Sequence, residues 1–542
     1  MDSEPYEVVD LTIPKVLARQ VARLGEKTFI TEMETQRSLS YTGIDQLSNR
    51  VANALSARGA THGTHIVVFM GNSIEHLSTF FAIGKLGAVS VPINTAARGD
   101  LLKYFLLQSD AEIAIVDAAL AERLAEVADQ APLLKHVIVL GEEAGTRALR
   151  FGAARQVADF QTLVDAASET ALSAEVNCWD LLLFAYTSGT TGPSKGCMVS
   201  HAAALTYGTG SIEAHGYRED DVFYTCLPLF HNNALLAAVG AALLCGGSVA
   251  MSRRFSVSRY WDDVRASGAT ITNLLGSMSN FLWSQPPQEN DADNSLRLVS
   301  MSPTPRYAQK FEQRFGLHAM SNYGLSDFGM ATAFTLNDPR EKLGAMGRAR
   351  RGVSIRVVDD HDFPLPPRQV GEIVLRQEDP WRATTGYYKM PEATLKSNQN
   401  LWFHTGDRGY FDEDGYLYFA DRKKDSIRRR GENVSAFEVE QVIGSHESVA
   451  ESAVFPVSTD TNDEEVGAVV VLKPGFSLSE KELMDHCQRN LAYFMIPRYV
   501  QFRVELPMTV NQKVEKFKLK KDFEAGELDI WDREKAGIVL VR

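Results

Sequence analysis

Residues 181–196 read LLLFAYTSGTTGPSKG: an apolar run from Leu181 to Ala185, then an abrupt polar loop with three glycines and a single lysine, Lys195. The apolar run predicts a buried strand, and the loop at its end is a site-like position. The loop differs from the common nucleotide loop GxxxxGK[ST] in its glycine spacing and in carrying Gly196 after the lysine. Its composition still points to phosphate. Glycines let backbone N–H groups wrap an oxyanion, Thr187, Ser188, Thr190 and Thr191 supply hydroxyl donors, and Lys195 supplies charge. The competing reading, a flexible surface loop, does not need this ordered set of donors.

Outward from the loop, 542 residues at 44% hydrophobic can bury several cores, so two or more domains are expected. The net charge of -13, from 56 Lys+Arg against 69 Asp+Glu, argues against nucleic acid as a partner while leaving room for a local basic patch that holds a phosphorylated ligand. The acidic start, MDSEPYEVVDLTIPKVL, lacks the basic flank and apolar core of a leader, and the expected location is the cytoplasm. Cys178, Cys197, Cys226, Cys245 and Cys487 are scattered without CxxC spacing, which fits neither a disulfide scaffold nor a zinc cluster. No uninterrupted apolar run reaches membrane-spanning length, so no membrane span is expected.

Short β-rich runs alternate with helical patterns through the first three-quarters of the chain: HIVVFM at 65–70, AEIAIV at 111–116, HVIVL at 136–140, then VFYTCLPLF and ATITNLL. Such alternation predicts an α/β fold with parallel sheets covered by helices. Leu47, Val51 and Leu55 recur every four residues, with Thr42 and Asp45 offering a capping box and Gly59 a stop, which predicts a surface helix. From about residue 370 turns become closely spaced between short strands, and a smaller module begins near 424. The expected division is a large N-terminal domain of helix-covered sheets, 1–423, and a small mobile α+β C-terminal domain, 424–542.

Several motifs in order, YTSGTTGPSKG, LPLFH at 227–231, YGLSD at 323–327, HTGD at 404–407, DRKKD at 421–425, RRRGENVSAFEVE at 428–440 and the late Lys513, resemble the adenylate-forming superfamily of acyl-CoA synthetases, luciferases and peptide-synthetase adenylation domains. The resemblance runs from about Tyr41 to Leu519. VPINTAARGDLL at 91–102 is further similar to crotonobetaine/carnitine-type CoA ligases.

The resemblance implies ATP, Mg2+, coenzyme A and a small-molecule carboxylic acid as reactants and cofactors. It places Thr187, Ser188, Gly189, Thr190, Thr191, Gly192 and Lys195 on phosphates, Tyr323 on adenine, Ser326 on phosphate, Asp407 on the ribose, and Arg422 at the ribose or phosphate. Asp327 falls where the family commonly has a magnesium-contacting Glu, and Lys513 corresponds to the lysine that bridges carboxylate and α-phosphate. That role follows from charge, because a carboxylate must attack an anionic phosphate. Gln512 stands where the family usually has glycine. His231 is implied as a wall or gate of the acyl pocket, with a proton-transfer role as the lesser alternative. Asn232, Asn233, Ser277, Met278, Met301, Ser302 and Gly324 would surround the acyl group. The family's glycine-rich turn is represented here by SMSPTP at 300–305. Lys424 matches the hinge about which the C-terminal domain rotates between half-reactions. Arg428, Arg430, Gly431 and Glu432 then face CoA, and Arg428, Arg429 and Arg430 would meet its phosphates, with a solvated basic face as the alternative for the arginines.

The leading expectation is an AMP-forming acid:CoA ligase. An adenylating enzyme that loads an acyl carrier protein or a partner enzyme is the alternative. His231 occupies the region where amino-acid-activating relatives usually carry an Asp for the amine, which disfavours an amino-acid substrate, and little chain follows Lys513 to hold a fused carrier domain. A binding or regulatory protein without turnover is opposed by the lysines at 195 and 513 and the acid at 327. No motif demands oxidative chemistry of the luciferase type.

Overall fold

The computed structural model describes residues 6–141, 151, 155–187, 194–422, 426–429, 432–458, 464–491, 493–508, 514–525 and 530–538; the side chains of Ser277, Arg422, Ser426, Arg428, Glu432 and Asn433 are outside this description. The Val- and Ile-rich runs form strands of a seven-stranded sheet, ordered Gln156–Asp159, His136–Leu140, Ile113–Asp117, His65–Phe69, Val89–Pro92, Leu181–Thr187 and Lys195–Ser200. All pairs are parallel except the last, an antiparallel hairpin. Val67 and Phe69 pack into one apolar cluster while Ile66 and Val68 pack into another. Successive residues point to opposite faces, so a strand buried on both sides must be apolar throughout.

A nine-stranded sheet takes the next part of the chain, with parallel central strands Ser248–Met251, Val222–Thr225, Ile271–Leu275, Leu298–Ser302 and His318–Leu325, and antiparallel pairs at its edges. A four-stranded antiparallel sheet, Val353–Val358, Gly371–Gln377, Phe403–Phe411 and Leu417–Arg422, follows. The smaller C-terminal part holds the hairpin Ser426–Arg429/Glu432–Ser435 and a four-stranded sheet with helices Ala436–Gly444, Glu480–Asn490 and Lys516–Glu524. Its core of Ile427, Val439, Val454, Val470 and Leu483 is a cluster separate from those of the N-terminal part.

Serine caps begin many helices. Ser73, Ser200, Ser435 and Ser479 each accept a bond from the backbone N–H three residues on, and Ser479 with Glu482 completes a capping box. The helix anticipated from Leu47, Val51 and Leu55 is Tyr41–Ser56, but its cap is Ser40, bonded to the Gly43 N–H at 3.0 Å. Thr42 and Asp45 therefore lie within the helix rather than flanking its start. Among the described residues no helix is long and apolar enough to cross a membrane. The five thiols are all free; four are buried and Cys245 is half-buried.

Candidate active site

The hairpin that opened the sequence is held from both sides. Thr187 pairs with Lys195 across its base, and the Tyr104 hydroxyl donates to the Ser194 carbonyl at 2.6 Å. Along the outer edge of Lys195–Ser200 the segment Thr385–Tyr388 adds backbone bonds, from the Met198 N–H to Gly386, the Thr385 N–H to Met198 and the Tyr388 N–H to Gly196, at 2.8–3.0 Å. This puts Tyr387 beneath the lysine. The Lys195 ammonium sits 4.2 Å from the ring centroid, and the Tyr387 hydroxyl donates to Asp327 Oδ1 at 2.6 Å. Cys197 also donates to that oxygen, at 3.2 Å. Burial and the Asp327 carboxylate push the Cys197 thiol well above its ordinary range, so it stays a thiol. Cation, ring, hydroxyl and carboxylate thus form one short chain beside the Thr187–Lys195 pair.

A second group lies where the four-stranded sheet meets the edge of the nine-stranded one. Tyr323, 7% exposed, donates its hydroxyl to Asp407 Oδ2 at 2.7 Å, and Asp407 is itself 5% exposed. Arg422 is the cross-strand partner of Asp407. Both groups open onto a single cleft of about 1540 Å³ lined by Thr187, Lys195, Tyr323, Ser326, Asp327 and Asp407, and by His231, Asn232, Asn233, Ser302 and Gly324. That exceeds the roughly 300–1,000 Å³ of a pocket for one drug-sized ligand.

Another part of the cleft lining is polar and uncharged. The Asn273 amide donates to Asn233 Oδ1 at 2.7 Å, and the Asn322 amide donates to Ser300 Oγ at 3.0 Å, with Asn273 and Ser300 paired in adjacent strands. The strand alternation that turns Ser300 and Ser302 into the cleft turns Met301 away: it is fully buried in the core, as is Met278 at 5% exposure, and neither is among the lining residues. The expectation that these two methionines surround the acyl group is thereby corrected. Gly324 sits at a register shift, where a Cβ would lie 2.8 Å from the Gly329 carbonyl oxygen. Replacing it with alanine is expected to cost about 1–3 kcal/mol of stability, read as a lower denaturant midpoint; an unchanged midpoint would show that the strand pair yields.

Residues 17–388 match the family model described as AMP-binding enzyme, and residues 438–513 match that of the AMP-binding enzyme C-terminal domain. The chain belongs to the AMP-binding enzyme family. It is 30% identical over 489 residues to a crotonobetaine/carnitine–CoA ligase of Salmonella heidelberg, covering 89% of this chain and 93% of the relative. ATP-bound MatB from Rhodopseudomonas palustris superposes with a TM-score of 0.83 at 28% identity, covering 94% of this chain and 98% of that one. The anthranilate CoA ligase AuaEII, in complex with anthranoyl-AMP, shares the fold at a TM-score of 0.87 and 24% identity, covering 97% and 99%.

Several candidate residues of this AMP-binding enzyme fall outside the described residues: Ser188, Gly189, Thr190, Thr191, Gly192, Lys424, Arg430, Gly431 and Lys513. Arg422, Arg428 and Glu432 are placed by backbone register alone, and Ser277 by its helix. The sequence reading missed Tyr387, Asn273, Asn322 and the cleft-facing side of helix His201–His215. The paired tyrosines of GYYKMPEAT were a signal for the first.

Three buried histidines set an expected pH response. Desolvation lowers His76 and His215 to about 4 and His201 to about 3, from an ordinary 6.5, with Arg297 adding to the effect at His215. The unfolded chain therefore takes up protons first as pH falls. Stability is complete above about pH 6.5 and declines from there toward pH 4, by about 2 kcal/mol per histidine at pH 5. Thermal unfolding is expected at a lower midpoint at pH 5 than at pH 7, with a smaller drop in His215→Gln; an identical drop would contradict the assignment.

Proposed function

We infer that this AMP-binding enzyme is an AMP-forming acid:CoA ligase. A carboxylate attacks the α-phosphorus of ATP, giving acyl-AMP and releasing pyrophosphate; the thiol of CoA then attacks the acyl carbon, forming acyl-CoA and releasing AMP. The observation that carries the reading is the single cleft in which the Lys195–Tyr387–Asp327 chain and the Tyr323–Asp407 pair face a neutral polar wall suited to an organic acid.

In this reading Thr187 and Lys195, with residues 188–192, hold the β- and γ-phosphates, Tyr323 packs on adenine, Ser326 bonds phosphate, and Asp407 with Arg422 takes the ribose hydroxyls. Lys513 stands between carboxylate and α-phosphate. His231, Asn232, Asn233, Ser302 and Gly324 flank the acid, His231 as a wall. For magnesium, Asp327 offers one carboxylate, and among the described residues no set of three or more His, Cys, Asp or Glu converges to hold a metal alone. That donor set fits Mg2+, which keeps several waters and is otherwise held by phosphates. When bound it neutralises phosphate charge, and Tyr387 and Cys197 orient the carboxylate that meets it.

The C-terminal domain is taken to begin at 424 and to turn about Lys424, bringing Arg428, Arg430, Gly431 and Glu432 toward CoA. Phe437, Glu438 and Gln441, next along the chain, already line the cleft, which supports such an approach. The five free thiols favour a reducing compartment such as the cytoplasm. The test is acid-dependent ATP–pyrophosphate exchange across a panel of aliphatic, aromatic and hydroxylated acids. Exchange above the acid-free rate is expected; acid-independent exchange, or none with any acid, would count against the reading.

A further inference from the structure

Two opposite charges line the cleft close to one another without pairing. Lys195 and Asp327 are both half-buried and both touch Tyr387, yet among the described residues Lys195 forms no ion pair and Asp327 Oδ2 accepts no hydrogen bond. A lysine ammonium rides on a flexible four-carbon stem, and one within reach of a carboxylate ordinarily closes on it. Each charge would then be neutralised by the other and lost to a ligand.

Tyr387 meets both groups with different parts of one side chain. Its ring face takes the ammonium, 4.2 Å from the centroid, and its hydroxyl donates to Asp327 Oδ1 at 2.6 Å. A cation over the face lies out of the ring plane, whereas the partner of a phenolic hydroxyl lies near it, so the two charges are directed to different sides of the ring. Cys197, fully buried, donates to the same Oδ1 at 3.2 Å, which leaves Oδ2 for a ligand.

The tyrosine is itself held from several directions. It is 6% exposed, bridges to Cys197 through the backbone, and donates its N–H to Thr394 Oγ1 at 2.9 Å at the start of the next helix. The Thr384 hydroxyl on the same segment donates to the Asp327 carbonyl. The segment Thr384–Tyr388 therefore ties the strand that begins at Lys195 to the turn that carries Asp327.

Resting on the ligase reading above, we propose that Tyr387 is a positioning residue that keeps Lys195 and Asp327 from neutralising each other, so that the ammonium remains for the β- and γ-phosphates of ATP and the carboxylate for magnesium. A residue that only filled space would serve as well with any apolar side chain of similar size, and its effect would not depend on whether Asp327 is charged.

The test is calorimetric titration of the enzyme with ATP, in EDTA and in saturating Mg2+, with AMP as the ligand that lacks the β- and γ-phosphates. Tyr387→Phe keeps the ring, so it should bind ATP in EDTA as the wild type does, while the gain in ATP affinity brought by Mg2+ shrinks about tenfold. Tyr387→Leu frees the ammonium as well and should weaken ATP about fivefold in EDTA, with AMP unaffected in both variants. Most of that loss should vanish when the same replacement is made in Asp327→Asn, where no carboxylate competes for Lys195. Tyr387→Met takes the place of the leucine variant if the latter does not fold. ATP affinity in EDTA that is unchanged in Tyr387→Leu, or a loss of the same size with Asp327 and with Asn at that position, would overturn the proposal while leaving the ligase reading intact. Wild-type affinity for ATP in a Lys195→Ala control would contradict the phosphate placement of that reading and this inference with it.

Discussion

Replacing Lys513 by alanine is expected to lower acid-dependent ATP–pyrophosphate exchange by about 10²–10³-fold while the thermal unfolding profile stays unchanged. Attack of a carboxylate on the α-phosphate brings two anions together and spreads further charge over a pentavalent centre, so a cation must stand between them. Lys195 stands over the Tyr387 ring beside Thr187, where the proposed reading gives it the β- and γ-phosphates. Three of the lysines that follow Lys513 have acidic partners: Lys516 is 2.7 Å from Glu440, Lys518 pairs with Glu515, and Lys520 is 3.9 Å from Glu524. Lys513 itself lies outside the described residues, between Met508 and Val514, which form a β-bridge. Exchange in Lys513→Ala equal to wild type would remove it from the mechanism.

The second large effect concerns the other half-reaction. Proline at position 424 fixes φ near −65° and removes a backbone donor, which should leave adenylation close to wild type and slow thioester formation by about 10²-fold. The reason is geometric: on the proposed two-pose account Lys513 is present for the first reaction and leaves room for pantetheine in the second. The described segments on either side differ in what holds them. Leu417–Arg422 is a strand of the four-stranded sheet, whereas Ile427 and Val434 of the next hairpin are fully buried in the C-terminal core. Equal loss in both half-reactions would contradict a two-pose account.

Much of the scaffold was legible because burial on both faces of a parallel sheet leaves little freedom of composition. HIVVFM and AEIAIV could hardly be anything but inner strands, and they form His65–Phe69 and Ile113–Asp117. Boundaries were less legible: Ser40 and Thr42 are chemically equivalent caps, and only the geometry of the first turn chooses between them. The short motifs that keep their order supplied Thr187, Lys195, Tyr323, Asp327 and Asp407, which line one cleft. The polar wall of Asn233, Asn273, Ser300 and Asn322 was less legible, since it is assembled from residues far apart in sequence whose direction depends on strand phase. A shift of one position separates Ser300 and Ser302 in the cleft from Met301 in the core.

The central claim is tested most directly by incubating the enzyme with ATP, magnesium and the acid that supports the fastest exchange, with and without CoA, and identifying products by mass spectrometry. The account predicts acyl-AMP and pyrophosphate without CoA, and acyl-CoA with an equal amount of AMP when CoA is present. Acyl-AMP that accumulates unchanged in the presence of CoA would contradict the ligase assignment and point to a carrier protein or partner enzyme as the acceptor.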